Sequence, residues 1–163
     1  GALVYYIGGD PAVLEQARPI LSHSAKEILY IGKVGDASVI KIATNMISAA
    51  TVQVLSEAYG LTISAGLDPE ILRTAIANNA CGSTLTSMKL PTIINRNFEP
   101  HFSLNNMFKD AKFALDLGKQ FGVEMPVLTT TANVMFRTIQ KGQGDRDYSV
   151  LASNYQNNPG KPR

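Results

Sequence analysis

The sequence has a single cysteine, Cys81, only two histidines and no tryptophan. One cysteine cannot form an internal disulfide, so we expect Cys81 to be a small buried side chain in a protein of a reducing compartment, with the cytoplasm as its location. His23 and His101 have no cysteine or carboxylate at ligand spacing. We therefore expect no metal site.

The charge is nearly balanced, with 15 basic and 13 acidic residues and no basic run. Such a chain lacks the clustered positive charge that neutralises a phosphate backbone, so we expect no nucleic-acid partner. The apolar stretch from about residue 39 to 65 includes Lys41, Asn45, Gln53 and Glu57. These polar groups argue against a lipid-facing span, and we expect no membrane partner.

The first 31 residues have the pattern of a strand, a helix and a strand. Residues 2–7 are β-branched and aromatic, Asp10 and Pro11 are typical of a helix start, and residues 28–31 are again strand-like. No charged leader precedes the first strand, so we expect no signal peptide and a start that cuts into a longer fold. The glycines near residues 8 and 32 do not complete a dinucleotide-binding fingerprint and are expected in turns.

Beyond residue 31 the apolar residues have helical spacing, which predicts a mainly α-helical protein with a domain boundary at 31/32. The helical domain should extend to residue 156, followed by a flexible tail over 157–163. The first helix is apolar or small on nearly every side, as expected for a helix packed all round by other helices or by a second subunit. The expected helices cover residues 37–65, 68–79, 83–94, 103–120, 126–141 and 147–155.

Lys41 and Asn45 lie one helical turn apart on an otherwise apolar segment. A lysine at the start of a helix experiences both desolvation and the positive end of the helix dipole, and both favour the neutral amine. The alternative is a lysine whose amine reaches solvent, with the asparagine filling a polar gap.

A second polar group consists of Asn106, Lys109 and Asp110, whose spacing places them on one side of the helix that begins after Ser103. The alternative is a solvated face with a local ion pair. Phe102, just before this helix, could be a core residue or could line a small cavity.

Three ordered segments resemble the β-hydroxyacid dehydrogenase family, which includes 3-hydroxyisobutyrate dehydrogenase, tartronate semialdehyde reductase and glyoxylate/succinic semialdehyde reductase. They are GKVGDASVIKIATN at 32–45, FSLNNMFKD at 102–110 and the ending at 142–155. The resemblance implies that residues 1–31 are the last part of a Rossmann domain. It also implies that residues 32–156 form a catalytic and dimerisation domain like the C-terminal helical bundle of 6-phosphogluconate dehydrogenase.

The same resemblance implies an NAD- or NADP-dependent oxidoreductase that interconverts a short hydroxy acid and its aldehyde or keto acid. It assigns Lys41 as the general acid/base, with Asn45 binding the substrate and orienting the lysine. Lys109 would lie beside the cofactor, while Phe102, Asp110 and Asn106 would belong to the substrate pocket. The nucleotide-binding glycines of the family are not in these 163 residues. We therefore expect the fragment alone to be inactive and the protein to be a homodimer through its helical domain.

Two alternatives remain at the level of sequence. A non-catalytic helical dimerisation module would keep the fold and leave Lys41 and Lys109 as solvated surface groups. A relative of the imine reductases would keep the cofactor chemistry on another substrate, although such relatives commonly replace the lysine that this chain retains at position 41.

Overall fold

The computed structural model describes residues 1–156. Contacts along the chain form two compact units, Gly1–Thr44 and Asn45–Arg163. The boundary expected at 31/32 stays a prediction, and the tail expected at 157–163 lies outside the described residues. The protein is mainly helical, with one two-stranded parallel sheet.

The first unit contains the expected βαβ arrangement. Strand β1 covers Leu3–Gly8, helix α1 covers Pro11–Leu21, and strand β2 covers Ala25–Gly32. The strands are parallel, and Tyr5 is in register with Ile28. Asp10 caps α1 by accepting a hydrogen bond from the backbone N–H of Ala12, as the Asp-Pro pair predicts. Strand β2 begins three residues before the apolar run at 28–31.

The remaining elements are helical and follow the expected order. Four helix starts have the predicted side-chain cap or proline: Asp68, Ser83 and Ser103 cap the chain, and Pro126 opens the last long helix. The final segment, capped by Asp147, is a 3₁₀ helix at Tyr148–Asn154. The α-helices that follow β2 are α2 at Asp36–Ser64, α3 at Pro69–Ala77, α4 at Thr84–Ile94, α5 at Leu104–Phe121 and α6 at Pro126–Thr138.

Helix α2 has a buried side and an exposed side. Its buried residues include Val52, Leu55 and Tyr59, and the last two pack with α4 and the 3₁₀ helix in one hydrophobic cluster. On the other side Ile47, Val54 and Leu61 are 61%, 58% and 74% exposed. The helix is therefore not packed all round by residues 1–156, and its cover by a second subunit stays a prediction.

Among the described residues, one helix, α2, is long and apolar enough to cross a membrane, by length and composition alone. Two of its polar side chains are engaged inside the chain: buried Gln53 donates hydrogen bonds to Glu57 and to the hydroxyl of Tyr155. These contacts, together with the packing of Leu55 and Tyr59, join one side of α2 to the rest of the helical unit. The expected absence of a membrane partner stays a prediction.

Cys81 was expected to be buried, and that expectation is wrong. Its side chain is exposed in the turn between α3 and α4, where its backbone N–H donates to the side chain of Asn79. The preceding helix ends at Ala77, so the cysteine lies outside the helical packing that would have covered it.

Candidate functional site

The loop before α2 determines where this helix begins, and therefore where Lys41 lies in it. The side chain of Asp36 accepts a hydrogen bond from the backbone N–H of Lys33 at 3.0 Å and packs against Gly32. A β-carbon at Gly32 would lie 2.4 Å from the Asp36 Oδ2 atom, so a side chain there would disrupt the turn. Gly35 has φ of 100°, a conformation that favours glycine. The glycines of this segment therefore serve the turn that starts α2.

Lys41 lies in the second turn of α2, and its side chain is exposed. Burial by residues 1–156 therefore does not supply the desolvation expected from sequence, whereas the expected position near the amino-terminal end of a 29-residue helix is present.

Asn45 follows Lys41 by one turn and contacts a buried carboxylate on another helix. The Asn45 Nδ2 atom donates to Asp110 Oδ2 at 2.6 Å, and Asp110 is 3% exposed. Because a carboxylate only accepts hydrogen bonds, this contact fixes which end of the amide faces Asp110. Oδ1 of Asn45 is then the end of the amide presented away from it, where it can accept a hydrogen bond.

Lys109 lies beside the same carboxylate. Its Nζ is 3.7 Å from Asp110 Oδ1, and the lysine side chain is 57% exposed whereas Asp110 is buried. The structure thus brings Asn45 and Lys109 together around the carboxylate of Asp110. Asn106 is exposed one turn before Lys109 and Asp110. Its backbone N–H donates to the Ser103 cap.

Phe102 precedes α5 and is half-buried. Its ring meets the Tyr148 ring edge-on, with centroids 6.3 Å apart and an interplanar angle of 89°. Its backbone carbonyl accepts a hydrogen bond from Tyr148 at 3.0 Å. The ring is therefore partly held by the 3₁₀ helix and partly open.

Sequence reasoning missed a buried ion pair. Lys89 of α4 donates to both carboxylate oxygens of Asp147 at 2.7 and 2.8 Å, and the two residues are 4% and 2% exposed. The sequence predicts Asp147 only as a helix cap and gives Lys89 no role. A signal was available, because Lys89 lies between Thr86, Leu90 and Ile93 on the buried face of α4.

Asp147 also accepts hydrogen bonds from the hydroxyl and backbone N–H of Ser149 and from the backbone N–H of His101 and Phe102. Burial alone would raise the pKa of this carboxyl. The hydrogen bonds from Lys89, Ser149 and Phe102 outweigh burial, and the pKa of Asp147 lies below its usual value. The group is therefore ionised at neutral pH.

Among the described residues, no three His, Cys, Asp or Glu side chains form a cluster that could hold a metal ion. The polar groups that do cluster are amide, amine and carboxylate, a set suited to hydrogen bonding and proton transfer.

Residues 35–155 match the family model described as the NAD-binding domain of NADP-dependent 3-hydroxyisobutyrate dehydrogenase. The chain belongs to this family. Within the 3-hydroxyisobutyrate dehydrogenase family, 2-hydroxy-3-oxopropionate reductase of Escherichia coli is 31% identical over 152 residues, or 93% of this chain and 52% of that protein. Glyoxylate/succinic semialdehyde reductase 2 of Arabidopsis thaliana is 28% identical, over 93% of this chain and 42% of its own length.

Solved structures of the family have the same fold. The 3-hydroxyisobutyrate dehydrogenase of Mycobacterium tuberculosis, determined with L-serine, has a TM-score of 0.85 and 26% identity over 94% of this chain and 55% of that one. The Salmonella typhimurium enzyme has a TM-score of 0.86 at 19% identity, covering 91% of this chain and 52% of that one. The chain thus spans about half the length of the relatives it matches.

Proposed function

We propose that the full-length protein is an NAD(P)-dependent oxidoreductase that interconverts a short hydroxy acid and its aldehyde or keto acid, with Lys41 as general acid/base. One observation carries this proposal: the Asn45 amide, one helical turn after Lys41, is held by the buried carboxylate of Asp110 with Lys109 beside it. A solvated surface asparagine would not need a buried carboxylate to orient it.

Each of the proposed site residues has its own role in the reaction. In carbonyl reduction, the Lys41 ammonium donates its proton to the carbonyl oxygen as that oxygen becomes a hydroxyl. In alcohol oxidation, the neutral amine of Lys41 accepts the hydroxyl proton. Asn45, oriented by Asp110, offers Oδ1 as an acceptor to the substrate hydroxyl or to the lysine. Phe102 presents the open part of its ring as an apolar wall of the pocket, and Asn106 supplies a polar group on the exposed side of α5.

A nicotinamide cofactor fits these residues. When bound, it supplies or accepts the hydride at the substrate carbon. Lys109 is an exposed cation whose charge is only partly offset by Asp110 at 3.7 Å, so its remaining hydrogen-bond donors suit an anionic or hydroxylated cofactor. The chain carries no glycine fingerprint. We propose that the nucleotide is held mainly by the rest of the protein, that the 163-residue chain alone is inactive, and that the helical unit is a 6-phosphogluconate dehydrogenase C-terminal-like bundle.

The names of the relatives provide the substrates for a direct test. We expect the full-length protein to oxidise NADH or NADPH in the presence of glyoxylate, succinic semialdehyde or 2-hydroxy-3-oxopropionate. It should also reduce NAD or NADP with 3-hydroxyisobutyrate or 2-(hydroxymethyl)glutarate. Nicotinamide absorbance measures both directions and distinguishes the two cofactors. Turnover of a cyclic imine alone would favour the imine-reductase alternative. The absence of any hydride transfer would favour a non-catalytic module.

We also propose that the protein is a homodimer through α2. Ile47, Val54 and Leu61 recur every seven residues and form an exposed apolar ridge on one side of the helix. Beside Ile47 lies a cleft of about 410 Å³ lined by Ala50, Thr51 and the segment 123–128. A ridge of large side chains next to a cleft on the same surface is self-complementary, as a two-fold interface requires.

Ile47→Glu is expected to convert the dimer to a monomer at micromolar concentration, because a charge in an apolar contact loses its hydration without gaining a partner. Sedimentation of the full-length protein measures this. The matched control is Ile71→Glu, because this isoleucine has a similar exposure, 58%, but belongs to α3 and does not line the cleft, so the dimer should stay intact. A wild-type monomer, or equal effects of the two substitutions, would contradict the proposed interface.

A further inference from the structure

The carboxylate of Asp147 lies where three segments of the helical unit meet. Lys89 comes from α4, Ser149 from the 3₁₀ helix, and the backbone N–H groups of His101 and Phe102 from the loop before α5. All of these groups donate, and Asp147 accepts from all of them. The loop residues therefore have their position fixed by a buried charge outside their own segment.

Stability alone does not explain why this charge is buried. Desolvating a lysine and an aspartate opposes much of their attraction, and apolar residues of similar volume often stabilise a protein as well or better. What apolar residues could not do is accept the two backbone N–H groups at 101 and 102, which lie 3.2 Å from Asp147 Oδ2. The pair is thus suited to holding one backbone conformation.

Other contacts extend this attachment toward α5. The backbone N–H of Tyr148 donates to Phe102, and that of Leu104, the first residue of α5, donates to Arg146. The Tyr148 ring has the Lys89 ammonium 4.5 Å from its centroid and meets the Phe102 ring edge-on. Lys89, Tyr148 and Phe102 therefore contact one another in series.

The same segment leads directly to the site residues. Phe102 is the proposed pocket aromatic, and Lys109 and Asp110 lie about two turns into the helix that starts at Leu104. Because a helix transmits a displacement of its first turn along its axis, the position of the 101–104 backbone affects these side chains.

We propose that Asp147, paired with Lys89, is a positioning residue that fixes Phe102 and the start of α5 for binding of the hydroxy acid or its carbonyl partner. This inference rests on the proposed function. It assigns to the buried pair a role in substrate recognition in addition to its place in the core.

The test is Asp147→Asn in the full-length protein, which keeps the size of the side chain but removes its charge and replaces one acceptor oxygen by a donor. We expect KM for the best substrate of the panel to rise about tenfold while kcat changes less than about threefold, the pattern of lost binding before the chemical step. Hydrogen exchange at the amides of His101 and Phe102 should become faster in the same variant.

Two controls separate positioning from stability and from charge. Leu151→Ala removes a fully buried side chain and destabilises the fold but leaves the hydrogen bonds of Asp147 in place, so its KM should stay within about twofold of wild type. Glu99→Gln removes an exposed negative charge that faces Arg146 at 3.7 Å and should change neither constant. If Asp147→Asn does not fold, Lys89→Gln, which retains a neutral donor to Asp147, should also raise KM, but by a smaller factor.

The possible outcomes are distinct. Faster exchange at 101 and 102 with an unchanged KM would overturn the positioning role and leave the pair purely structural. A KM rise equal to that of Leu151→Ala would do the same. A wild-type protein without turnover on any substrate of the panel would instead contradict the proposed function, and this inference would fall with it.

Discussion

Lys41→Ala is expected to lower kcat of the full-length protein by about 100- to 10,000-fold, the range that a positioned general acid or base contributes. The substitution removes the amine that donates or accepts the substrate's hydroxyl proton. Cofactor affinity should change little, because Lys109 and the rest of the protein hold the nucleotide in our proposal. Steady-state kinetics in both directions, with cofactor binding measured by fluorescence, would establish the effect.

A chemical-rescue experiment makes this expectation specific to the amine. Added methylamine should restore part of the turnover of Lys41→Ala, since a free amine can enter the space of the missing side chain. It should not increase the turnover of the wild type. Lys119→Met provides the control, because Lys119 is an exposed lysine, 81% accessible, outside the proposed site. Turnover of Lys41→Ala within about threefold of wild type would remove the lysine from the mechanism.

Lys89→Met is expected to lower the free energy of unfolding by about 3–5 kcal/mol, because it leaves Asp147 charged and buried without its cation. Folded domains of this size are stable by only about 5–15 kcal/mol, so the variant should be close to the limit of folding. Urea unfolding near neutral pH measures the loss. Glu99→Gln, which breaks an exposed pair, should cost less than about 1 kcal/mol.

The pH dependence of stability provides an independent check on the pair. The pKa of Asp147 is lower in the folded protein than its usual value of 3.8, so the folded state holds the ionised form more strongly than the unfolded chain does. Its contribution is therefore fully present above about pH 4 and is lost as the pH falls through the folded pKa. In Asp147→Asn this acid-dependent loss should be smaller. An unchanged acid profile would show that the carboxyl is not held in its ionised form.

Helix boundaries were largely predictable because the signals are local. Asp-Pro pairs, serine caps and glycine ends act within one turn, and the structure has them where the pattern places them. Local signals failed where tertiary contacts decide. Strand β2 extends back to Ala25 because Ala25 and Glu27 pair with Leu3 and Val4 of β1, with a register shift between the two pairs. Phe121 is a large apolar residue, yet it is 62% exposed as the last residue of α5.

The site was only partly predictable. Helical spacing relates Lys41 to Asn45, and Asn106 to Lys109 and Asp110, because each set belongs to a single helix. The hydrogen bond from Asn45 to Asp110 joins residues 65 positions apart, and the pair of Lys89 and Asp147 joins residues 58 apart. Neither separation follows from periodicity. A lysine on an apolar helical face indicates a buried partner, but the sequence does not say which carboxylate supplies it.

The contact between Asp110 and Asn45 has a consequence for the chemistry the protein could acquire. A carboxylate imposes one polarity on the neighbouring amide, with the oxygen turned toward whatever enters the pocket. With an amide at position 110, which can donate as well as accept, that constraint would disappear and the asparagine could turn its nitrogen outward. The residue at position 110, on a different helix, would then determine whether Asn45 can bind a hydroxyl, which donates a hydrogen bond, or a group that only accepts one. Changes of substrate within such a scaffold could therefore begin at position 110, a buried position on a different helix from the amide that it orients.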